Sequence, residues 1–219
     1  MKLHHVPPAA AALSVLAALG PAPALAASVS YTLDQSNVNA APHTDGTNFV
    51  QASIADNPNG NIDFTVQTLP ALSGNAGANY GIDSFGFNTL LSLTAANFLN
   101  LPVGWGVQST MNMGGFGNFV QVANGTGSTR VDPLTFSIGG NSGDTPTDYV
   151  MPSTGNAGEG NTDFAAHVAG LNTQPTSVFV GGSTPVPEAD VWSMMLVGLG
   201  LLGLRLRRYV GRSARSIHA

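Results

Sequence analysis

Along the chain, apolar and polar side chains alternate over short runs, and clusters of Gly, Asn, Asp, Ser and Pro separate the runs. Alternation with a period of two puts successive side chains on opposite faces of a strand, whereas an amphipathic helix would repeat every three to four residues. The pattern predicts strands over Ser28–Leu33, Thr47–Ile54, Asn61–Leu69, Ile82–Phe87, Trp105–Thr110, Phe119–Val122, Leu134–Ile138, Phe164–Leu171 and Ser177–Val180. In TNFVQASI, Val50, Ala52 and Ile54 share one face; in NIDFTVQTL, Ile62, Phe64 and Val66 do. Between these two runs lies DNPNG, Asp56 to Gly60, and Asn-Gly flanked by alternating runs signals a hairpin. Ser92–Leu99 reads as one short helical turn, and Gly74–Asn79 and Gly139–Gly158 read as loops. Many short strands divided by turn residues predict an all-β body, an antiparallel β-sandwich of jelly-roll-like form. The alternative is a disordered body rich in Gly, Asn and Ser, which ten phenylalanines and the regular alternation oppose. NFVQ occurs twice, at Asn48–Gln51 and Asn118–Gln121, but the flanks differ, so it marks two similar strands rather than a repeat.

The ends break this pattern. Val191–Leu204 is apolar on every face, and Arg205, Arg207 and Arg208 follow it, with Arg212 and Arg215 beyond. As a helix the run reaches about 21 Å, short of a bilayer core of about 30 Å. Trp192 at the interface and a snorkelling Arg205 lengthen the usable span. The segment therefore reads as a single transmembrane helix, 191–204, with a basic cytoplasmic tail, 205–219, and the positive-inside rule leaves the body outside. At the other end, Lys2, the apolar stretch Ala9–Leu19 and the helix breakers Pro21 and Pro23 precede Ala24-Leu25-Ala26. This is the layout of a signal peptide, residues 1–26, with cleavage between Ala26 and Ala27.

A Val186-Pro187-Glu188 tripeptide, the apolar run and the arginines follow one another between Thr184 and Arg208. This order resembles the PEP-CTERM sorting tail of exported bacterial proteins. The resemblance covers residues 184–208 and departs at Ala189, where the family has a second proline. It implies that an exosortase, an integral membrane enzyme, recognises Val186, Pro187 and Glu188, cuts near them and releases or transfers the protein. It also implies association with extracellular polysaccharide and biofilm matrix in Gram-negative bacteria. DNPNGNIDFTV, GIDSFGFN, DFAAHVAGLN and SVFVGG loosely resemble the bodies of such proteins and carry no assigned activity.

Without its ends, the body (27–180, then a flexible linker at 181–187) is one domain in size. Through Ser183 it holds ten acids against a single cation, Arg130, a net charge of −9 hidden within the −5 of the whole chain. An acidic body without a basic patch argues against nucleic acid and anionic lipid as partners. The absence of cysteine excludes disulfides, thiolate catalysis and cysteine-ligated zinc.

The remaining chemistry is sparse. Asp56–Asp63 is oxygen-rich, yet an EF-hand frame starting at Asp56 puts Pro58 at position 3 and Thr68 at position 12, so a hairpin turn explains it. His43, in a polar loop near Asp45, reads as solvated, and His167 as packed or edge-exposed; neither has metal-site spacing. No serine lies in a Gly-x-Ser-x-Gly elbow, and Gly114–Gly117 lacks the Lys-Ser/Thr of a phosphate loop. Asn124-Gly125-Thr126 fits an N-glycosylation sequon. No cofactor or metal is expected. The reading is a non-enzymatic exported surface or matrix protein whose partners are the secretory translocon, signal peptidase, an exosortase and extracellular polysaccharide. The alternatives are a carbohydrate-binding module or adhesin, with Trp105, Tyr80 and Phe116 stacking on sugars, and a secreted glycoside hydrolase using a carboxylate pair.

Overall fold

A computed structural model describes residues 26–186 and, beyond them, residues 195, 196, 198–200 and 202. The fold is an antiparallel β-sandwich. Twelve strands run in chain order: β1 (Ser28–Leu33), β2 (Gln35–Ser36), β3 (Val50–Asp56), β4 (Ile62–Thr68), β5 (Ala76–Phe87), β6 (Phe98–Leu99), β7 (Gly106–Asn112), β8 (Asn118–Asn124), β9 (Leu134–Ile138), β10 (Phe164–Leu171), β11 (Ser177–Gly182) and β12 (Thr184–Val186). A one-turn helix, α1 (Pro70–Ser73), and two 3₁₀ turns, Ala95–Asn97 and Pro146–Tyr149, complete the elements within 26–186, and residues 195, 196, 198–200 and 202 are helical. The first sheet has the order β12-β1-β3-β4-β9-β6 and the second β2-β11-β10-β5-β8-β7.

Alternation decides which face of each strand is buried. Val50, Ala52 and Ile54 of β3 and Ile62, Phe64 and Val66 of β4 are buried, with half-buried residues between them. The two strands pair from Val50 opposite Thr68 to Asp56 opposite Ile62, so the hairpin forms as its sequence predicts. Its loop is five residues long, 57–61. Asn57 accepts from Asn59 N–H through Oδ1 at 2.8 Å, and Gly60 adopts a positive φ of 74°. The core between the sheets is built on phenylalanine. Phe64 stacks on Phe136 (4.7 Å, 10°), meets Tyr149 edge-on (5.5 Å, 89°) and lies 5.0 Å from Phe87. Phe85 stacks on Phe164 at 5.8 Å.

A second apolar cluster, Met113, Phe116, Phe119, Val122 and Ala165, lies on the opposite face of the second sheet. Ala165 alternates with Phe164 and Ala166 of the main core, so it points the other way. The β7–β8 turn folds over this face, and two glycines make room for it. A Cβ on Gly86 would lie 2.9 Å from the Phe119 ring, and one on Gly181 would lie 2.6 Å from Phe116.

Three expectations need correction. Gly74–Asn79 is not all loop, because β5 begins at Ala76 and its first residues pair with the end of β10. The linker expected over 181–187 is strand through Val186, with Gly181 and Gly182 in β11 and Thr184–Val186 forming β12. Gly182 serves close packing rather than flexibility: a Cβ there would lie 2.4 Å from the Thr32 carbonyl oxygen. His43 is fully buried rather than solvated. The segment 92–99 holds the expected turn, at Ala95–Asn97, where Thr94 and Asn97 form a capping box, and then enters β6.

Candidate functional site

Of the residues expected to carry sorting and leader cleavage, the three that are described, Ala26, Ala27 and Val186, lie beside β1. Ala26 and Ala27 are exposed just ahead of it. The Ala27 carbonyl accepts from Asp56 N–H at 2.9 Å, and Ala27 N–H donates to Asp56 Oδ2 at 3.3 Å. The predicted cleavage junction therefore sits at the very edge of the β1–β3 ladder. On the other side of β1, Val186 lies opposite Ser30, Pro185 opposite Tyr31 and Thr184 opposite Thr32. Because the pairing is antiparallel, the start of β1 and the end of β12 share one pole of the sandwich. Ala24, Pro187, Glu188, Arg205, Arg207 and Arg208 lie outside the described residues, as do most of the expected helix 191–204 and all of the tail 205–219. Among the described residues, no helix is long and apolar enough to cross a membrane.

The β3–β4 turn closes the same pole. An open hollow of about 350 Å³ there is lined by Asp56, Asn57, Pro58, Asn61 and Asp144. The oxygen-rich loop is engaged in its own turn: Asn57 Nδ2 donates to Asp63 Oδ1 at 3.0 Å, and Ser137 Oγ donates to the same oxygen at 2.7 Å. Among the described residues, no three His, Cys, Asp or Glu side chains converge as metal ligands.

Sequence reasoning missed a second constellation, on the second sheet. His167 of β10 pairs with Ser84 while the next residue, Val168, pairs with Ile82, so Asp83 is an extra, bulged residue in β5. A bulge re-aims a side chain; here Asp83 Oδ2 comes to 3.2 Å from His167 Nδ1. Burial pushes the His167 pKa down, the carboxylate of Asp83 opposes that shift, and Arg130 adds to it. A neutral imidazole must then donate its Nδ1 proton, since a carboxylate only accepts. The ring stacks on Phe179 at 4.2 Å, which fixes its plane. Arg130, the body's single cation, brings Nε to 3.8 Å from Asp83 Oδ1 and donates from Nη1 to the Asn79 carbonyl at 3.2 Å. Gly125 N–H also donates to the Asp83 carbonyl at 2.9 Å, so the 125–131 loop is tied to the bulge. Ser84 stands opposite His167, but it is 2% exposed and its hydroxyl meets Met113 Sδ at 3.9 Å. The arrangement orients a neutral imidazole and clamps a loop; Ser84 is not aimed to act with it. No local motif announces this cluster, because the bulge that builds it is a matter of strand register.

The three aromatic candidates do not form a platform. Phe116 is fully buried. Trp105 donates from Nε1 to the Thr129 carbonyl at 2.7 Å. The Tyr80 hydroxyl donates to Thr68 Oγ1 at 2.6 Å, and burial pushes its pKa up to about 12. A separate hollow of about 290 Å³, lined by Asp63, Thr65, Asn100, Thr135 and Ser137, opens on the first sheet. Asn124 of the sequon ends β8, its backbone opposite both Ser84 and Gly106. Compared with known protein families, curated proteins and solved structures, the chain matches none.

Proposed function

We propose that this chain is a non-enzymatic exported protein of the cell surface or extracellular matrix, held for a time at the inner membrane and then cut by an exosortase-type enzyme. One observation carries the reading: the predicted leader and the predicted tail leave the body at the same pole, on either flank of β1. A chain translocated from its N-terminal end and stopped by a C-terminal segment is tethered at both ends at once. A fold whose ends diverged would need linkers as long as the sandwich. Here four residues, Pro187–Asp190, separate β12 from the apolar run, a reach of at most about 14 Å. Nested pairs β1–β12, β2–β11, β4–β9 and β5–β8 support the jelly-roll form of the body, in which first and last strands are neighbours by construction.

In this reading signal peptidase acts at Ala26–Ala27, Val186, Pro187 and Glu188 form the recognised box, and Arg205, Arg207 and Arg208 hold the cytoplasmic side. Extracellular polysaccharide is the partner at the destination. The polar hollow beside Asn100 and Ser137 offers hydroxyl-binding groups, whereas the buried Phe116 weighs against a stacking platform. The test is a Pro187→Ala, Glu188→Ala double substitution in an exosortase-competent host, followed by fractionation and mass measurement. Full-length protein retained in the membrane fraction is expected; unchanged size and location refute the sorting assignment.

A further inference from the structure

We propose that the solvent face of the first sheet binds a neutral polysaccharide, gripped at the hollow between β4, β9 and Asn100. The proposal rests on the reading that extracellular polysaccharide is the partner, and it places the contact. The alternation that turns Ile54, Phe64 and Phe136 into the core turns Ser30, Ser53, Thr65 and Thr135 outward, and strand register sets these four opposite one another across β1, β3, β4 and β9. Neighbouring strands lie about 4.8 Å apart, so the row of hydroxyls runs about 14 Å across the sheet. Two residues along the strands on either side, Gln51 stands opposite Gln67 and Asp63 opposite Ser137. Cross-strand bonds hold the rows in order. Ser30 Oγ and Ser53 Oγ are 2.8 Å apart, Gln67 Nε2 donates to Gln51 Oε1 at 3.0 Å, and Ser137 Oγ donates to Asp63 Oδ1 at 2.7 Å. Side chains already held in place lose less freedom when a ligand docks.

The hollow of about 290 Å³ opens where two of these rows meet, near the small end of ligand-sized sites. Asn57 and Ser137 both donate to Asp63 Oδ1, which leaves Oδ2 an acceptor without a partner among the described residues. The side chains of Thr65, Thr135 and Asn100 likewise have no partner among the described residues. Hydroxyls and an amide both donate and accept, as the hydroxyls of a sugar do, and the threonine methyls can meet the C–H groups of its ring. The same face disfavours other partners. The outward positions of β1, β3, β4 and β9 carry one acid, Asp63, and no cation, methionine or aromatic ring. Protein interfaces draw on aromatics, Met and Arg and avoid Ser, so a second protein does not fit. An anionic polymer would be repelled by a body of net charge −9. A neutral glycan matches both the hydrogen-bonding groups and the near absence of charge.

The test is affinity electrophoresis of the full-length chain in detergent, through gels that contain dextran, galactomannan, a mixed-linkage β-glucan or the anionic polymer alginate. Wild type is compared with a triple variant, Thr65→Val, Thr135→Val and Asn100→Gly. Valine keeps the shape and strand preference of threonine, and glycine accepts the φ of 59° at position 100, so the hydrogen-bonding groups go while the backbone stays. Ser109→Val, at an exposed position of β7 in the second sheet, is the control. Thermal unfolding of each variant verifies that it is folded, and Thr65→Ala alone stands in if the triple variant is not. Wild type and the control are expected to be retarded by at least one neutral polymer and not by alginate, and the triple variant to bind at least about tenfold more weakly. A folded triple variant, or its stand-in, that is retarded as strongly as wild type overturns this face as the site and leaves the polysaccharide reading standing. Retardation by alginate equal to that by the neutral polymers overturns the assignment of a neutral ligand. Wild type retarded by none of the polymers overturns the site and the polysaccharide reading together.

Discussion

Replacing Phe64 with alanine tests the core at its centre. Phe64 is 1% exposed and touches the rings of Phe136, Phe87 and Tyr149, with Phe85 6.5 Å away. Truncating a buried phenylalanine costs about 3–5 kcal/mol, the sum of lost transfer free energy and the cavity left behind. The cost rises where the surroundings cannot collapse. Phe136 and Phe87 are held in strands of opposite sheets, and the Tyr149 hydroxyl is tied to Asp144, so the upper half of that range applies, about 4–5 kcal/mol. For a domain of this size each kcal/mol lowers Tm by about 2–4 °C, which predicts a fall of about 8–20 °C. Urea unfolding followed by circular dichroism and tryptophan fluorescence measures the loss. Leu90→Ala, at a residue 86% exposed, serves as the reference and is expected to change stability by less than about 0.5 kcal/mol. A Phe64→Ala loss below about 1 kcal/mol would refute the reasoning, since it would mean the ring stack is not formed.

Three further outcomes follow from the structure. His43 is buried, its Nδ1 has no hydrogen-bond partner among the described residues and burial lowers its pKa below the usual 6.5. The unfolded chain then binds the extra proton first, so the stability is fully present above pH 6.5 and falls as pH drops below it; His43→Gln is expected to flatten the pH dependence of the urea midpoint between pH 7 and 5. Gly170 has φ 79°, and a Cβ there would lie 2.5 Å from the Asn79 carbonyl oxygen, so Gly170→Ala is expected to cost about 2 kcal/mol or more in the same unfolding assay. Asp83→Asn removes the carboxylate that holds the His167 pKa up, so the imidazole should titrate at still lower pH in an NMR titration. An unchanged His167 titration would refute that pairing.

Much of the fold is legible in the chain because alternation and turn residues are local signals. Leu134–Ile138 and Phe164–Leu171 match β9 and β10 end to end, and the hairpin at Asp56–Gly60 closes as its residues require. Where the reading failed, the missing information was non-local. Gly74, Asn75, Gly77 and Asn79 made 74–79 look like a loop, yet a strand begins at Ala76 because β10 pairs with it through an irregular register. Gly181 and Gly182 looked like part of a flexible linker, but their missing side chains accommodate Phe116 and the Thr32 backbone from elsewhere in the chain. His43 looked solvated among polar neighbours and is buried, its Nε2 3.3 Å from Thr173 Oγ1, 130 residues on in the sequence.

The sequence by itself determined the β class, the faces of the strands, and the acidic and cysteine-free character of the body. Each of these follows from residue type and near-neighbour order. Only the tertiary structure decided that Ala27 and Val186 flank one strand at one pole, and that a bulge turns Asp83 toward His167 and Arg130. Both depend on which strands pair and in what register, and pairing is settled by the packing of the whole core rather than by any segment of it.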